Sequence, residues 1–227
     1  MADKKQYRHE WKHAISYSDM LQIRSRMKAI AKSDPHTVDG KYLIRSLYFD
    51  TMKDKALKEK LDGVDKREKF RIRYYNFNPE VIHLEKKSKL NKLGTKYHAA
   101  LTADQVEKII KGDTDWMMDS DNALIQELYL KMKYQGMRPK TIVDYTREPF
   151  IYAPGNVRVT LDYDLRTCLT VKDFLDPKSI TFPVAEGTII LEVKWDDFLP
   201  SIIRDGVQLT NRRAQSFSKY AQCRIYD

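Results

Sequence analysis

The 227 residues include 41 Lys and Arg against 32 Asp and Glu, which gives a formal net charge of +9, and 42% of them are hydrophobic. This composition excludes a disordered chain, and no run approaches the roughly 18 apolar residues of a membrane helix. The basic excess favours a polyanionic partner without choosing among nucleic acid, an anionic membrane surface and a small polyphosphate. No signal-peptide pattern or metal-ligand spacing of the two cysteines is present, so we expect a reduced, cytoplasmic protein.

The first third of the chain predicts strands and helices in alternation. Residues Tyr7–Ile15 predict a strand, and Ser18 is expected to cap a helix because apolar residues recur after it at helical spacing. The β-branched and aromatic segment Tyr42–Thr51 predicts the next strand. A short charged helix over Lys53–Leu61 is expected to end at Gly63.

The rest of the chain predicts a hairpin, two helices, three strands and a last helix. A strand over Lys69–Asn76 is expected to meet a second over Glu80–Lys89 across the turn sequence NFNP. Helices are predicted over Thr102–Lys111 and Asp121–Tyr134. Strands follow in PKTIVDYTREPF, VRVTLDYDLR and TIILEVKW, and a helix covers Leu209–Cys223. The total is seven or eight strands, mostly antiparallel neighbours, with four or five helices.

Charged and apolar side chains alternate along most of these strands. Between Val157 and Arg166 the apolar residues fall on one face, and polar residues such as Asp162 and Asp164 fall on the other. An open sheet with one solvated face would give this pattern. The charges are mixed in sign and recur on nearly every strand, which favours a closed barrel with a charged lumen. Such a lumen requires mutual pairing or a hydrated, metal-bound polyanion as its ligand.

The densest basic segment is KREKFRIRYYN, residues 66–76. In a strand, Arg71 and Arg73 share one face, and the apolar residues between them face the other way. The two arginines could be exposed, could pair with Glu85 and Glu192, or could line a lumen. The other basic residues of this segment are expected at the rim or in solvent: Lys66, Arg67 and Lys69.

Eight segments in order resemble the VTC (vacuolar transporter chaperone) domain, the polyphosphate polymerase branch of the triphosphate tunnel metalloenzyme, or CYTH-like, superfamily. They are YRHEWKHAI, IRSLYFDT, KFRIRYYN, HLEKKSK, VDYTREPF, RVTLDYDL, LEVKW and FSKY, and they span about residues 6–222. The resemblance implies an α+β fold, an eight-stranded antiparallel β-barrel (the triphosphate tunnel) with helices packed around the outside, as one domain over residues 1–227. It implies that a phosphoryl group moves from ATP to a growing inorganic polyphosphate chain, with Mn²⁺ or Mg²⁺ as cofactor.

The resemblance also implies roles for the residues that match its motifs. Glu192 in LEVK matches the carboxylate that holds the metal. The residues implied to contact the reacting phosphates are Arg71 and Arg73 of the R-x-R pair, Lys87 of LEKK and Arg147 of YTREPF. Further phosphate contacts are implied for Lys12 of the N-terminal motif and for Ser218 and Lys219 of FSKY.

Two departures from the family pattern bear on the chemistry. The superfamily opens with E-x-E-x-K, whereas this chain has Arg8, Glu10 and Lys12. Arg8 in place of the first glutamate removes a metal ligand and adds a phosphate-binding cation, which fits the VTC branch and leaves Glu10 with Glu192 for the metal. Lys96 and His98 stand where a Lys-x-Arg pair is usual, so Lys96 is expected to bind phosphate.

Several alternatives stay open from the sequence. The same tunnel could serve a polyphosphate polymerase, a triphosphatase or tripolyphosphatase, or a non-catalytic module for polyphosphate or folded RNA. Nucleic acid is not an expected partner, because the tyrosines fall mostly on apolar faces. Glu192 could pair with Lys12 or Arg147 instead of a metal, and Asp162 with Asp164 could hold a second metal or balance the arginines. The sequence gives no information on association with membrane proteins.

Overall fold

The computed structural model describes residues 8–90, 93–168, 170–209 and 216–226. The chain forms two compact units. Unit 1 combines residues 1–43, 145–165 and 183–218, and unit 2 combines residues 44–144, 166–182 and 219–227. The single tunnel domain over residues 1–227 stays a prediction.

Strands and helices are numbered in chain order over the described residues. The strands are β1 (His9–Ile15), β2 (Lys32–Ser33), β3 (Tyr42–Asp50), β4 (Arg67–Tyr75), β5 (Asn78–Leu90), β6 (Leu93–Leu101), β7 (Arg138–Tyr152), β8 (Val157–Cys168), β9 (Phe182–Pro183) and β10 (Ile189–Trp195). The helices are α1 (Tyr17–Ile30), α2 (Lys55–Leu61), α3 (Ala103–Lys111), α4 (Ala123–Gln135), α5 (Ser201–Gly206) and α6 (Lys219–Cys223). Short 3₁₀ turns lie at Asp115–Met117, Pro154–Asn156, Val171–Asp173 and Arg224–Tyr226. None of these helices is long and apolar enough to cross a membrane.

Unit 1 contains four strands in the order β1-β10-β8-β7, and the short β2 pairs with β7. The ladder places Lys12 opposite Glu192 and Glu10 opposite Lys194, so the charged residues of β1 and β10 share one face. The opposite face packs with α1 and α5 in a core that includes Ile15, Met20, Ile23, Met27, Val159, Leu161, Leu191, Val193 and Ile203.

Unit 2 contains the order β7-β3-β4-β5-β6, in which β3, β4, β5 and β6 pair antiparallel. The predicted hairpin is confirmed, and its second strand already begins at Asn78. Asn76 and Phe77 have φ values of 50° and 54°, so they form a two-residue turn of the kind that matches strand twist. The apolar face packs against α3 and α4 in a core that includes Phe49, Phe70, Ile72, Tyr74, Leu84, Val106, Ile109, Ile125 and Leu128.

One buried ion pair lies on the apolar face of unit 2. Arg45 Nε and Nη2 donate to Asp144 at 2.9 and 2.7 Å, and Nη1 donates to the carbonyl of Asp176 at 2.7 Å. Each half of the pair is therefore compensated, as a buried charge requires. The sequence pattern does not single out Arg45, because it lies among apolar residues.

Three predictions of secondary structure need correction. Helix α1 is capped by Ser16 rather than Ser18, because Asp19 reciprocates the Ser16 hydrogen bond and completes a capping box. Strand β6 was not predicted, since glycine and lysines obscure its alternation. Of the predicted helix over Leu209–Cys223, residues 210–215 lie outside the described part of the chain, residues 209 and 216–218 are not helical, and only α6 is a helix.

The predicted class, α+β with an antiparallel sheet and packed helices, is confirmed. Eight strands form the main path, and β2 and β9 pair off it. Closure of these strands into a barrel stays a prediction.

Candidate functional site

One face of β4, β5 and β6 is strongly basic, and we call it the basic face. Cross-strand neighbours form the rows Lys69-Lys87-Lys96 and Arg71-Glu85-His98. Because alternate residues of a strand share a face, the described residues of this face include seven Lys and Arg side chains but one carboxylate. Its charged and histidine residues are Arg67, Lys69, Arg71, Arg73, His83, Glu85, Lys87, Lys89, Lys96 and His98.

Glu85 joins three of these cations. Its Oε2 accepts from Arg71 Nη2 at 2.6 Å and lies 3.8 Å from Arg73 Nη1, while its Oε1 lies 2.7 Å from Lys96 Nζ. Burial raises the pKa of Glu85, but Arg71, Arg73 and Lys96 outweigh it and hold that pKa well below its usual range. Of the alternatives that the sequence left open for Arg71 and Arg73, pairing with Glu85 is present in the structure.

Two aromatic rings hold Arg71 and the C-terminal helix in place. Arg71 Nη1 donates to the Tyr48 hydroxyl at 2.8 Å, and the Tyr48 ring stacks on Tyr220 with centroids 5.0 Å apart. The Tyr220 hydroxyl donates to Asp50 Oδ2 at 2.6 Å, and Asp50 also accepts backbone N–H groups of Ala56 and Leu57 at the start of α2. Burial and this hydrogen bond raise the pKa of Tyr220 above its ordinary value. Ser218 and Lys219, both half-buried, stand immediately before and at the start of α6.

The three lysines of the row Lys69-Lys87-Lys96 differ in how far they are buried. Lys87 is exposed and the Lys96 side chain is 53% exposed, whereas Lys69 is half-buried. Burial and the cations Lys60, Arg67 and Lys87 lower the pKa of Lys69 to about 7. Of the three residues expected at the rim or in solvent, Lys66 is exposed, and Arg67 and Lys69 are half-buried.

In unit 1, three cations and three carboxylates form what we call the paired cluster. Lys12 Nζ lies 3.3 Å from Glu10 and 3.6 Å from Glu192. Lys194 Nζ lies 3.3 Å from Glu10 and also contacts Glu192. Burial lowers the pKa of Lys12, but Glu192 and Glu10 outweigh it and raise that pKa above its ordinary value. The cluster comprises Lys12, Lys194, Arg147, Glu10, Glu192 and Asp162.

Arg147 and Asp162 supply the buried part of the paired cluster. Arg147 Nε and Nη2 donate to the two Asp162 oxygens at 2.6 and 2.7 Å. Burial lowers the pKa of Arg147, but Asp162 outweighs it and leaves that pKa well above its ordinary value. Asp162 thus balances an arginine, while Asp164 is exposed with a φ of 53°. Arg8 lies elsewhere in unit 1, with its Nε 2.8 Å from Asp196.

The acidic residues offer limited capacity for a metal ion. No group of three or more His, Cys, Asp or Glu side chains able to hold a metal occurs among the described residues. Glu10 and Glu192 are linked through the same two lysines, so their carboxylates converge. Mg²⁺ commonly binds through one or two carboxylates, with substrate phosphates and waters completing its shell. The pair therefore fits a metal that arrives with phosphates better than a resident, all-protein site.

The structure brings the predicted residues together in two groups. Arg71, Arg73, Lys87 and Lys96 share the basic face, and the paired cluster contains Lys12, Glu10, Glu192 and Arg147. Lys69 of the basic face and Lys194 of the paired cluster were not predicted as site residues, and neither were Tyr48 and Tyr220, which support Arg71. Lys194 lies two residues after Glu192, so strand alternation could have identified it.

Comparison with known proteins gives one family match and several distant structures. A family model described as the VTC domain matches residues 7–225. A candidate adenylate cyclase from Bacillus halodurans is 13% identical with a TM-score of 0.47, covering 83% of this chain and 80% of its own. One from Vibrio parahaemolyticus is 11% identical with a TM-score of 0.46, covering 89% and 83%. The Mimivirus capping enzyme triphosphatase is 12% identical with a TM-score of 0.41, covering 90% and 92%. No curated protein matches the chain, and these structures carry no functional conclusion.

Proposed function

Because the chain belongs to the VTC domain family, we propose that it is a polyphosphate polymerase of the triphosphate tunnel (CYTH-like) superfamily. It transfers the γ-phosphoryl group of ATP to inorganic polyphosphate and releases ADP, in the cytoplasm. The observation that carries this proposal is the basic face, where the described residues provide seven cations for one carboxylate. A polyanion is electrostatically complementary to a face of this composition.

Arg71 and Arg73 grip phosphate oxygens in this proposal. A guanidinium presents a planar fork that can contact two oxygens of a phosphate, and it stays protonated. Glu85 and Tyr48 already fix Arg71 through 2.6–2.8 Å contacts, so little side-chain entropy remains to be lost when phosphate binds. Lys87 and Lys96 provide further charge along the chain of phosphates.

The other predicted contacts are part of the same proposal. Lys12, Arg8, Ser218 and Lys219 bind phosphate oxygens, and Arg147 acts on the reacting phosphates. Two hydrogen bonds to Asp162 fix the orientation of the Arg147 guanidinium. Arg147 therefore presents its positive charge to the phosphates from a fixed position. Lys12 exchanges some of its contact with Glu10 and Glu192 for phosphate oxygens.

Glu192 and Glu10 hold Mn²⁺ or Mg²⁺ in this proposal. A bound divalent ion neutralises charge on the phosphate oxygens at the transferring group. The support is the convergence of the two carboxylates on Lys12 and Lys194, which shows that the site already accommodates positive charge.

The chemical step needs no covalent contribution from the protein. A terminal oxygen of the acceptor polyphosphate attacks the γ-phosphorus of ATP, and the bond to the oxygen shared with the β-phosphate breaks. Positioning and charge neutralisation account for most catalysis of this kind. With Asp162 engaged by Arg147, the described residues favour one metal over the two of a triphosphatase.

Incubation with ATP and Mn²⁺ or Mg²⁺ tests the proposal. Gel detection of long polyphosphate together with ADP supports the polymerase. Free phosphate without chains would instead assign a hydrolase, and tripolyphosphate binding without turnover would assign a binding module.

The double variant Arg71→Ala/Arg73→Ala should lower whichever activity appears by about 100-fold or more, since each guanidinium stabilises charge on the phosphates. Lys66→Ala, which removes an exposed cation from the same segment, is the matched control and should change the rate less than twofold. Unchanged turnover in the double variant contradicts the assignment of the basic face.

A further inference from the structure

Lys69 lies inside the cation set of the basic face. It precedes Arg71 by two residues on β4, so both side chains share that face. It stands opposite Lys87 across the β4–β5 ladder, and its ammonium lies 5.4 Å from the centroid of the Tyr220 ring. Neither the resemblance nor the strand pattern assigns it a role.

The charged groups with the largest influence on Lys69 lie on α2, β3, β4 and β5. The cations are Lys60 on α2, Arg67 on β4 and Lys87 on β5, and they act in the same direction as burial. Asp50 on β3 acts in the opposite direction. The carboxylate of Asp50 is already shared with the Tyr220 hydroxyl on α6 and with backbone N–H groups of α2. Among these four groups the cations outnumber the carboxylate three to one.

A neutral amine at Lys69 relieves part of the repulsion in this environment. Like charges directly opposite each other in a sheet are destabilising, and Lys69, Lys87 and Lys96 form such a row. With its pKa lowered to about 7, Lys69 is roughly half neutral at pH 7 and mostly neutral at pH 8. An ordinary lysine would be fully charged under both conditions.

We propose that Lys69 is a further phosphate-binding residue of the basic face, and that it takes up a proton when an inorganic polyphosphate binds. This inference deepens the proposed function, because it rests on the same face binding polyphosphate. The anion reverses the sign of the local field, so the ammonium form becomes the favoured one. The proton comes from the buffer: the buffer acid loses it, the Lys69 amine gains it, and no other bond changes.

Calorimetric titration with tripolyphosphate, without ATP or metal, tests this inference. Measurements in two buffers of different ionisation enthalpy, at pH 7 and pH 8, give the number of protons taken up. Wild type should take up roughly half a proton more than Lys69→Met at pH 7 and nearly one more at pH 8. The difference between variants cancels the protons that the ligand and the histidines exchange.

Two variants serve as controls. Lys69→Met should weaken tripolyphosphate binding by about 3- to 10-fold at pH 7, whereas Lys66→Met should weaken it less than twofold. Lys69→Arg keeps a permanent charge, so it should retain affinity while its proton uptake falls to that of Lys69→Met. The arginine variant tests the inference even if the methionine variant fails to fold.

The outcomes separate this inference from the polymerase proposal. Equal proton uptake in wild type and Lys69→Arg would overturn the role of Lys69, whatever ATP turnover is found. Absence of polyphosphate synthesis together with the expected uptake difference would overturn the polymerase and leave Lys69 as a phosphate-binding residue. A wild-type protein that does not bind tripolyphosphate would overturn both.

Discussion

The basic face of unit 2 presents seven cations for one carboxylate, whereas the paired cluster of unit 1 contains three of each among the described residues. In the paired cluster each charge is compensated within the fold, as buried charges require. On the basic face the cations outnumber the carboxylate, a composition suited to an anionic ligand. We therefore expect the paired cluster to stabilise the folded protein. We expect repulsion between the cations of the basic face to lower the free energy of unfolding, while the same cations favour binding of an anion.

The largest expected effect follows from Arg147→Met in the paired cluster. It leaves the buried Asp162 carboxylate without its two hydrogen bonds, which should lower the free energy of unfolding by about 3–5 kcal/mol. Urea denaturation measures this loss. Arg71→Met should cost less than about 1 kcal/mol, because Arg73 and Lys96 still compensate Glu85. Equal losses in the two variants would remove the distinction between the regions.

Glu85→Gln tests the contribution of the one carboxylate on the described part of the basic face. The lowered pKa of Glu85 means that its stabilisation is present above the ordinary glutamate range and is lost as pH falls through the folded-state pKa. The variant should therefore lose about 1–3 kcal/mol at pH 7, and the gap to wild type should narrow at pH 3. Chemical denaturation at both values measures it.

The same variant should bind tripolyphosphate several-fold more tightly, because the competing carboxylate is gone. Glu80→Gln, an exposed site on β5, is the control and should change neither property. Weaker binding by Glu85→Gln would show that Glu85 chiefly orients the arginines.

The smallest expected effect is a gain in stability from Lys69→Met. The pKa of Lys69 is lowered to about 7 in the folded state, so the unfolded chain binds more protons between pH 7 and the ordinary lysine range. Wild-type stability should accordingly rise with pH across that window, and the variant should lose this slope. At pH 7 we expect a Tm higher by about 2–4 °C, measured by thermal denaturation. A lower Tm would place Lys69 in a stabilising role instead.

The sequence indicated the faces of strands well, because alternation is local. It placed Arg71 and Arg73 on one side of β4 and left pairing with Glu85 as one of several alternatives, which the folded structure contains. It did not indicate that Tyr220 donates to Asp50, since 170 residues separate them and no local pattern encodes that approach. The half-buried position of Lys69 was missed for the same reason, because α2 and α6 surround it only after the chain has folded.

The choice between alternatives also depended on distant contacts. Asp162 could be a metal ligand or a charge partner from the sequence, and the position of Arg147 on β7 decided it. The sequence predicted Ser18 as the cap of α1, whereas Ser16 caps it, because the Asp19 side chain completes a capping box with Ser16. Strand β6 was not predicted because its own sequence has a weak strand propensity. It forms because it pairs with β5, which lies next to it in the sheet.

The turn at Asn76 and Phe77 has a consequence for how the basic face forms during folding. A shift of one residue in the β4–β5 pairing would exchange the two faces and direct the arginines into the apolar core. Phe77 adopts a positive φ, which is unusual for an aromatic residue. The centroid of its ring lies 6.3 Å from that of Tyr74 and 4.6 Å from the guanidinium carbon of Arg45. The same packing that supports this turn therefore selects the register, so a mispaired hairpin would lose both its turn and its core contacts.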